Sequence, residues 1–180
     1  MYRRILIVVD TGPASRSAIR EGVALAQSTG AEVLFFSVLP RYVMPVTDMP
    51  LMGALSPEEF QRSATDSAQR HLAAVSTVAE QAGVRSSYVV GSGIDDAECI
   101  IEAAKQRRCG LIVVASLGRN AVMRLIMGSV IPGLITQSTI PVLVVRKPSS
   151  GSKVRRLEAV SPPPLSQAAV QPAETAERVA

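Results

Sequence analysis

Aromatic residues are nearly absent from this chain of 180 residues. It contains no tryptophan, and Phe, Tyr and Trp together make up 3% of the sequence, whereas 47% of the residues are hydrophobic. A core built from this sequence must therefore be packed with Val, Ile, Leu, Ala and Met. Such a composition is typical of a parallel sheet whose two faces are covered by helices.

Cysteine and histidine are also scarce. The cysteines, Cys99 and Cys109, are ten positions apart and form no CxxC motif, and His71 is the only histidine. Metal sites and redox dithiols need a denser pattern of these residues, so we predict neither. We expect His71 to lie at the boundary of the core without a catalytic role. We expect the thiols to remain reduced in the cytoplasm.

Long hydrophobic runs and a large excess of one charge are missing as well. The run Ile5–Val9 ends at Asp10 and is too short for a signal peptide, and no run approaches the roughly 20 residues of a membrane span. The formal net charge of +4 is spread along the chain and does not form the basic stripe of a nucleic-acid-binding protein. We therefore predict a soluble cytoplasmic protein that binds neither membranes nor nucleic acid.

Five short apolar runs alternate with four segments of helical periodicity. The runs are too short for typical helices and rich in β-branched residues, which indicates buried strands. The predicted strands cover residues 5–9, 32–38, 84–90, 111–114 and 140–145. This alternation predicts an α/β fold, with a doubly wound, five-stranded, mostly parallel sheet and helices on both faces.

Capping residues indicate where the helices begin and end. Ser15 is predicted to cap a first helix that Gly30 terminates. The segment Ser56–Glu59 (SPEE) places serine at the N-cap, proline at N1 and glutamate at N3 of a second helix. Asp95 or Asp96 is predicted to cap a third.

The composition changes after Arg146. The last part of the chain is rich in Pro, Ser and Ala, includes Pro162–Pro164 and has no sustained period. We predict one folded domain over residues 1–147 and a disordered tail over residues 148–180.

Small residues follow the fourth predicted strand. Ala115, Ser116 and Gly118 come directly after it, and small residues at a strand end let the backbone approach a ligand closely. Gly128-Ser129 then opens a helical run in which Pro132 falls within the first turn, where a helix tolerates proline. Because the free N–H groups of a helix start favour an anion, the sequence predicts a phosphate cradle here.

Three charged residues are placed to take part in this site. Asp10 follows the first strand at its carboxyl end, where ligands bind in open α/β sheets. The alternative is that Asp10 is a plain turn or cap carboxylate. Arg119 and Arg124 are placed to meet phosphate charge, and the alternative is that both are ordinary surface arginines.

The spacing of the small residues resembles a known signature. Ala115-x2-Gly118-x9-Gly128-Ser129 is similar to the ATP-binding pattern G-x2-G-x9-G-(S/T) of the universal stress protein family, with alanine in place of the first glycine. The resemblance extends over residues 1–147. It is carried as well by residues 2–10 (YRRILIVVD) and 140–146 (IPVLVVR).

The family resemblance implies a site for ATP, with Mg²⁺ able to bridge its phosphates. It implies that Asp10 contacts the adenosine and that the backbone at Val38 holds the adenine. The implied nucleotide-binding residues are Asp10, Thr11, Val38, Ala115, Ser116, Gly118, Arg119, Gly128, Ser129 and Val130. It also implies a homodimer in which the edge strand Val142–Arg146 pairs across a two-fold axis.

Three functions are compatible with these residues. The favoured one is a stress-response module that binds ATP for regulation without substantial turnover. The second is a dimeric interaction protein that does not bind nucleotide, for which Ala115 is the argument. The third is a slow ATP-hydrolysing enzyme. Turnover would require a general base or a further cationic clamp, and the segment from 115 to 129 contains no histidine or lysine. We therefore expect no catalytic residues.

Overall fold

Helices and strands alternate along the part of the chain that the structure describes. This computed structural model describes residues 2–42, 56–116 and 130–146. The elements in chain order are β1 Arg4–Val8, α1 Ser15–Thr29, β2 Glu32–Val38, α2 Pro57–Gln81, β3 Ser86–Gly91, α3 Asp96–Gln106, β4 Leu111–Ser116, α4 Val130–Gln137 and β5 Val142–Arg146.

The five strands form one sheet in the order β3-β2-β1-β4-β5, and all neighbours are parallel. β1 lies at the centre, where Ile7 pairs with Phe35 of β2 on one side and Val113 of β4 on the other. Along the chain, β2 is added beside β1, and β3 is added beside β2. The chain then returns to place β4 on the other side of β1. The predicted five-stranded parallel α/β fold is therefore confirmed.

Helices cover both faces of the sheet. One core cluster joins the first face to α1 and α2 and includes Ile7 and Ala18, and a second joins the opposite face to α3 and α4 and includes Leu6 and Ile100. Consecutive strand residues enter different clusters because their side chains point to opposite faces. All side chains of Ile5–Val8 are buried, which explains why this strand is continuously apolar instead of alternating.

β4 is longer than the sequence predicts. Ala115 and Ser116, expected just beyond the strand, are its last two residues and pair with Val145 and Arg146 of β5. The neighbouring strand supplies hydrogen bonds that the local sequence does not reveal, so the strand continues through small and polar residues. The expectation that these two residues leave the sheet was wrong.

Of the helix caps predicted at Ser56 and Ser15, the first is confirmed and the second was wrong. Ser56 and Glu59 form a complete capping box, each side chain accepting from the backbone N–H of the other residue. The cap predicted at Ser15 was wrong, because Ser15 is the first residue of α1 and the N-cap position belongs to Ala14, which has no side-chain cap. The Ser15 hydroxyl instead accepts a hydrogen bond from the N–H of Asp10 (3.1 Å).

Some predictions fall outside the described residues. These concern the loop around residues 43–55, the segment 117–129, and the domain boundary and tail from residue 147 onwards. They stay predictions.

The first three helices end in the same backbone motif. The N–H groups of Ala31, Val84 and Cys109 donate to the carbonyl oxygens five residues earlier, those of Ala26, Ala79 and Ala104. The residue before each donor has a positive φ: Gly30 (69°), Gly83 (68°) and Arg108 (53°). Glycine adopts this conformation without steric cost, whereas a residue with a Cβ is disfavoured by roughly 1–2 kcal/mol. Only the end of α3 carries this strain among these three.

Glu32 is held by two arginines at the amino ends of the strands. Arg4 donates from Nε and Nη2 to Oε2 of Glu32 (3.2 and 2.7 Å), and Nη2 of Arg85 lies 3.0 Å from Oε1. Nη1 of Arg4 also donates to the carbonyl oxygen of Arg107 (2.9 Å). The hydrogen bonds from Arg4, followed by the charge of Arg85, lower the pKa of Glu32 below its ordinary value of 4.5.

We expect Glu32→Gln to lower the free energy of unfolding at pH 7 and to reduce its dependence on pH in the acid range. A carboxylate whose pKa is lowered by folding stabilises the protein above its unfolded pKa. That contribution is lost as the pH falls through the folded pKa, so the difference between wild type and variant should shrink below about pH 4.5. Urea unfolding at several pH values measures it.

The control is Glu21→Gln, which removes an exposed carboxylate paired only with its neighbour Arg20. It should change the pH dependence less. A difference between wild type and Glu32→Gln that is the same at pH 3 and pH 7 would contradict the role assigned to the carboxylate.

Candidate functional site

The carboxyl ends of β1 and β4 are adjacent at the centre of the sheet. After β1 the chain passes to α1 on one face, and α4, which follows β4 in the chain, packs on the other. In open α/β sheets, the crevice at such a switch point is where ligands bind. Asp10 and Thr11 follow β1, Ser116 ends β4 and Val38 ends β2. The structure therefore brings these predicted site residues to the carboxyl end of the sheet, around the switch point between β1 and β4. This region is called the cleft below.

Asp10 is fixed by two hydrogen bonds. Its N–H donates to Oγ of Ser15 (3.1 Å), and its Oδ1 accepts from the N–H of Gly12 (2.6 Å). The second contact closes an Asx-turn, so Asp10 does serve as a turn carboxylate. The side chain is only half-buried. Between described residues no hydrogen bond uses Oδ2 of Asp10, which leaves that oxygen as an acceptor for a ligand.

Two residues that sequence reasoning missed support Asp10. A Cβ at Gly12 would lie 2.9 Å from Oδ1 of Asp10, so a larger residue would displace the carboxylate. Ser15, whose hydroxyl accepts from Asp10, is 2% exposed. The pattern Asp-x-Gly at residues 10–12 is typical of an Asx-turn and could have revealed the first of these supports.

The backbone of Val38 faces the cleft. The carbonyl oxygen of Phe36 accepts from the N–H of Val9, the residue after β1, whereas the N–H of Leu39 donates to the carbonyl oxygen of Gly91 in β3 (both 2.7 Å). Because backbone groups alternate in direction along a strand, the N–H and C=O of Val38 point to the β1 side. β1 ends at Val8, so the carbonyl of Val38 is directed into the space that β1 has left.

Ala115 stands where the family signature has glycine. Its side chain is 4% exposed and belongs to the core cluster beneath α1, together with Val9 and Ala14. The methyl group that distinguishes alanine from glycine is therefore packed in the core and takes little space from the cleft. Ser116, the next residue, is half-buried at the end of β4.

α4 approaches the site from the opposite face. Val130, its first described residue, is buried in the second core cluster, and Pro132 lies two residues further along the helix. The predicted helix start at Gly128 lies outside the described residues and stays a prediction. A Cβ at Gly133 would lie 2.7 Å from Cβ of Ala97, so α4 packs directly against the start of α3. The predicted cradle residues that lie outside the described part of the chain are Gly118, Arg119, Gly128 and Ser129.

The two cysteines carry free thiols that burial makes less acidic. Burial raises the pKa of Cys109 to about 11, and burial followed by the charge of Asp96 raises the pKa of Cys99. The thiolate is the reactive form of cysteine, so neither residue is poised as a nucleophile. Within residues 2–42, 56–116 and 130–146, no group of three or more His, Cys, Asp or Glu is arranged to hold a metal ion. No helix in these ranges is long and apolar enough to cross a membrane.

Topology and the position of the cleft define the class of the protein. It is an open, doubly wound α/β protein in which the chain turns to opposite faces of the sheet after the two central strands, β1 and β4, and this is the switch point at which such folds bind ligands. The chain belongs to the universal stress protein family, whose sequence model matches residues 1–146. The resemblance seen in the sequence is thereby confirmed.

Individual relatives agree with this assignment. The chain is 30% identical over 148 residues to universal stress protein MJ0531 of Methanocaldococcus jannaschii, an alignment that covers 82% of this chain and 84% of that protein. The fold is shared with a universal stress protein family protein of Arabidopsis thaliana solved with AMP bound (TM-score 0.58, 16% identity, 81% of this chain and 92% of that one). It is also shared with the universal stress protein of Archaeoglobus fulgidus in complex with dAMP (TM-score 0.55, 17% identity, 79% and 97%).

Ser15→Ala should lower the free energy of unfolding by about 1–3 kcal/mol, because it removes a buried acceptor from the N–H of Asp10. Ser28→Ala is the matched control on the same helix, since the hydroxyl of Ser28 is exposed and donates only to the carbonyl of Leu25. Its effect should stay within about 0.5 kcal/mol. Equal effects of the two substitutions in urea unfolding would show that Ser15 does not support the turn.

Proposed function

We propose that the protein binds an adenine nucleotide, ATP in the first instance, in the cleft at the centre of its sheet. It would act in the cytoplasm as a regulatory module of the stress response, without substantial turnover. The observation that carries the proposal is the convergence of Asp10 and the backbone of Val38 on this cleft. The AMP and dAMP complexes of two proteins with this fold support it.

The described residues suit the nucleoside half of such a ligand. Oδ2 of Asp10 would accept from a hydroxyl of the ribose, while its other oxygen is held by Gly12. The backbone groups of Val38 would recognise the edge of the base, because a carbonyl accepts from an amino group and an N–H donates to a ring nitrogen. Thr11, exposed beside Asp10, would line the entrance.

The phosphates would lie towards the predicted cradle. Ala115 and Ser116 lead from β4 to Gly118 and Arg119, and Gly128-Ser129 precede the first described turn of α4 at Val130. N–H groups at the start of a helix and a guanidinium both favour phosphate oxygens. Mg²⁺ bound to the phosphates would neutralise part of their charge.

The alternative of a family member that has lost nucleotide binding rests on Ala115. The burial of its methyl group weakens that argument, because the core accommodates the extra atom. The alternative of slow ATP hydrolysis has no specific observation in its favour. The thiols have raised pKa values, and the single histidine, His71, belongs to the middle of α2. We therefore retain binding without substantial turnover.

The first experiment is to denature freshly purified protein and identify the released small molecules by chromatography with mass detection. We expect an adenine nucleotide at close to one per chain, or else saturable binding of added Mg-ATP by calorimetry. Absence of both would overturn the proposal. Gly118→Val should weaken ATP binding about tenfold or more, because a side chain would block close approach of the backbone.

Ala115→Gly is the companion variant. It restores the family signature, yet we expect ATP affinity to stay within about twofold because the methyl group packs in the core. Its cost should appear in stability, at about 1 kcal/mol for the lost methyl burial and the greater freedom of the unfolded chain. A large gain in affinity would show that the methyl group obstructs the cleft.

We further propose that the protein is a homodimer that pairs through its edge strand Val142–Arg146. β5 has a neighbour on one side only within the described sheet. An apolar strand with an open edge invites pairing with another chain unless it is covered. Leu143 on this strand is 38% exposed, and Ile135 at the nearby end of α4 is 63% exposed, so a partner copy would remove apolar surface from water.

Leu143→Lys should shift the protein from dimer to monomer in light scattering after size-exclusion chromatography, because the new charge would be buried at the interface. The matched control is Ile94→Lys, since Ile94 is 90% exposed next to the opposite edge of the sheet. A wild-type protein that is monomeric at micromolar concentration, or equal effects of the two substitutions, would overturn the edge-strand dimer.

A further inference from the structure

A basic depression lies at the end of the sheet opposite to the nucleotide cleft. Its volume is about 650 Å³. The residues that line it, hereafter the arginine depression, are Tyr2, Arg3, Arg4, Thr29, Gly30, Glu32, Arg85 and Arg108. They lie at the amino ends of β1, β2 and β3 and at the ends of α1 and α3. A strand of five residues separates the two ends of the sheet by about 15 Å, so this is not part of the cleft.

The charges in the depression do not cancel. Four arginines face one carboxylate, Glu32, which is already held by Arg4 and Arg85. Each of the three guanidinium nitrogens of Arg4 already donates a hydrogen bond, whereas the side chain of Arg85 is 84% exposed and keeps N–H groups directed to solvent. The side chains of Arg3 and Arg108 are exposed and form no hydrogen bond or ion pair with other described residues; each residue hydrogen-bonds only through its backbone. Three guanidinium groups therefore remain available to a ligand.

Arg108 is present at a position that favours glycine. Gly30 and Gly83 occupy the equivalent place at the ends of α1 and α2, where a positive φ costs them nothing. At the end of α3 the same motif carries an arginine with φ 53°. Its side chain is exposed and makes no hydrogen bond or ion pair with the described residues that would offset this strain, so the strain points to a role outside the fold.

The positive charge is local. Another surface pocket, of about 460 Å³ between β3 and α3, is lined by Asp95, Glu98 and Glu102 and, among the described residues, by no Lys or Arg. The formal net charge of the whole chain is only +4. A cluster of guanidinium groups in one depression is therefore a particular feature of this end of the sheet and not a consequence of overall charge.

The chemistry of the depression favours a compact, multiply charged phosphate compound. Guanidinium groups donate pairs of N–H bonds that match phosphate oxygens, and four arginines line this depression. Tyr2 is the only aromatic side chain in the lining, whereas binding of single-stranded nucleic acid depends on a series of aromatic stacking surfaces. We propose that the arginine depression is a second binding site, for a small oligophosphate, distinct from the nucleotide cleft.

The probe is inorganic tripolyphosphate, added to the full-length protein. We expect calorimetry to show a tripolyphosphate site, one per chain, that persists in Gly118→Val, and the NMR titration of that variant to shift the backbone amides of Gly30, Arg85 and Arg108. Any shift of Asp10 or Ala115 in the wild type would belong to the proposed nucleotide site and should be lost in Gly118→Val. Arg3→Gln and Arg108→Gly should each weaken binding about fivefold or more, and binding should weaken further as salt is added.

Arg108→Gly separates binding from folding. Because it removes both the charge and the strained conformation, its thermal midpoint should equal or exceed that of the wild type while its affinity falls. Arg62→Gln, an exposed residue of α2 outside the depression, is the control for overall charge and should not change the affinity. Gly118→Val should also leave the affinity of the arginine depression for tripolyphosphate unchanged. The two proposed sites can therefore be tested independently of each other.

Three results would overturn the proposal. The first is affinity that is unchanged in both Arg3→Gln and Arg108→Gly. The second is an equal loss in Arg62→Gln, which would indicate general attraction between charges. The third is a short single-stranded oligonucleotide that displaces tripolyphosphate and binds more tightly at equal phosphate content, which would assign the surface to nucleic acid.

Discussion

The structure depends on a central strand that is buried on both faces and paired on both edges. β1 hydrogen-bonds to β2 and β4, and all its side chains from Ile5 to Val8 are buried. Two parallel neighbours cannot be joined to such a strand by tight turns, so the chain must cross over through helices. With α1 and α2 on one face and α3 and α4 on the other, the crossovers diverge from the carboxyl ends of β1 and β4. The cleft is a consequence of that divergence.

The same constraint makes the cleft rigid where a ligand would be recognised. The carbonyl of Val38 is directed by the hydrogen bonds of its neighbours, Phe36 and Leu39, and Asp10 is held by Gly12 and Ser15. None of these groups must be ordered when a ligand arrives, which lowers the entropic cost of binding. Backbone recognition of this kind depends on strand register. Recognition by backbone groups can therefore persist when many of the surrounding side chains are substituted.

The sequence predicted those features that depend on local patterns. Apolar runs predicted every strand, and the capping box at Ser56 and the terminating Gly30 were correct because caps act within one turn. The end of β4 and the role of Ser15 were missed, since both depend on partners distant from the predicted pattern, β5 in one case and the backbone of Asp10 in the other. Backbone direction at Val38 leaves no trace in side-chain identity. Arg4 in β1, Glu32 in β2 and Arg85, which directly precedes β3, are brought together only by the order of the strands in the sheet.

Two residues depart from the glycine that their positions favour, and the structure treats them differently. The methyl group of Ala115 is buried in the core, so the departure from the family signature is offset by packing and needs no functional explanation. Arg108 has no such compensation among the described residues, because its backbone is strained and its side chain is exposed. A residue that breaks a local conformational preference without a gain in packing is expected at a functional site, where the sequence is not selected for stability alone. The amino end of this sheet, opposite the cleft, is therefore a surface whose chemistry the fold alone does not account for.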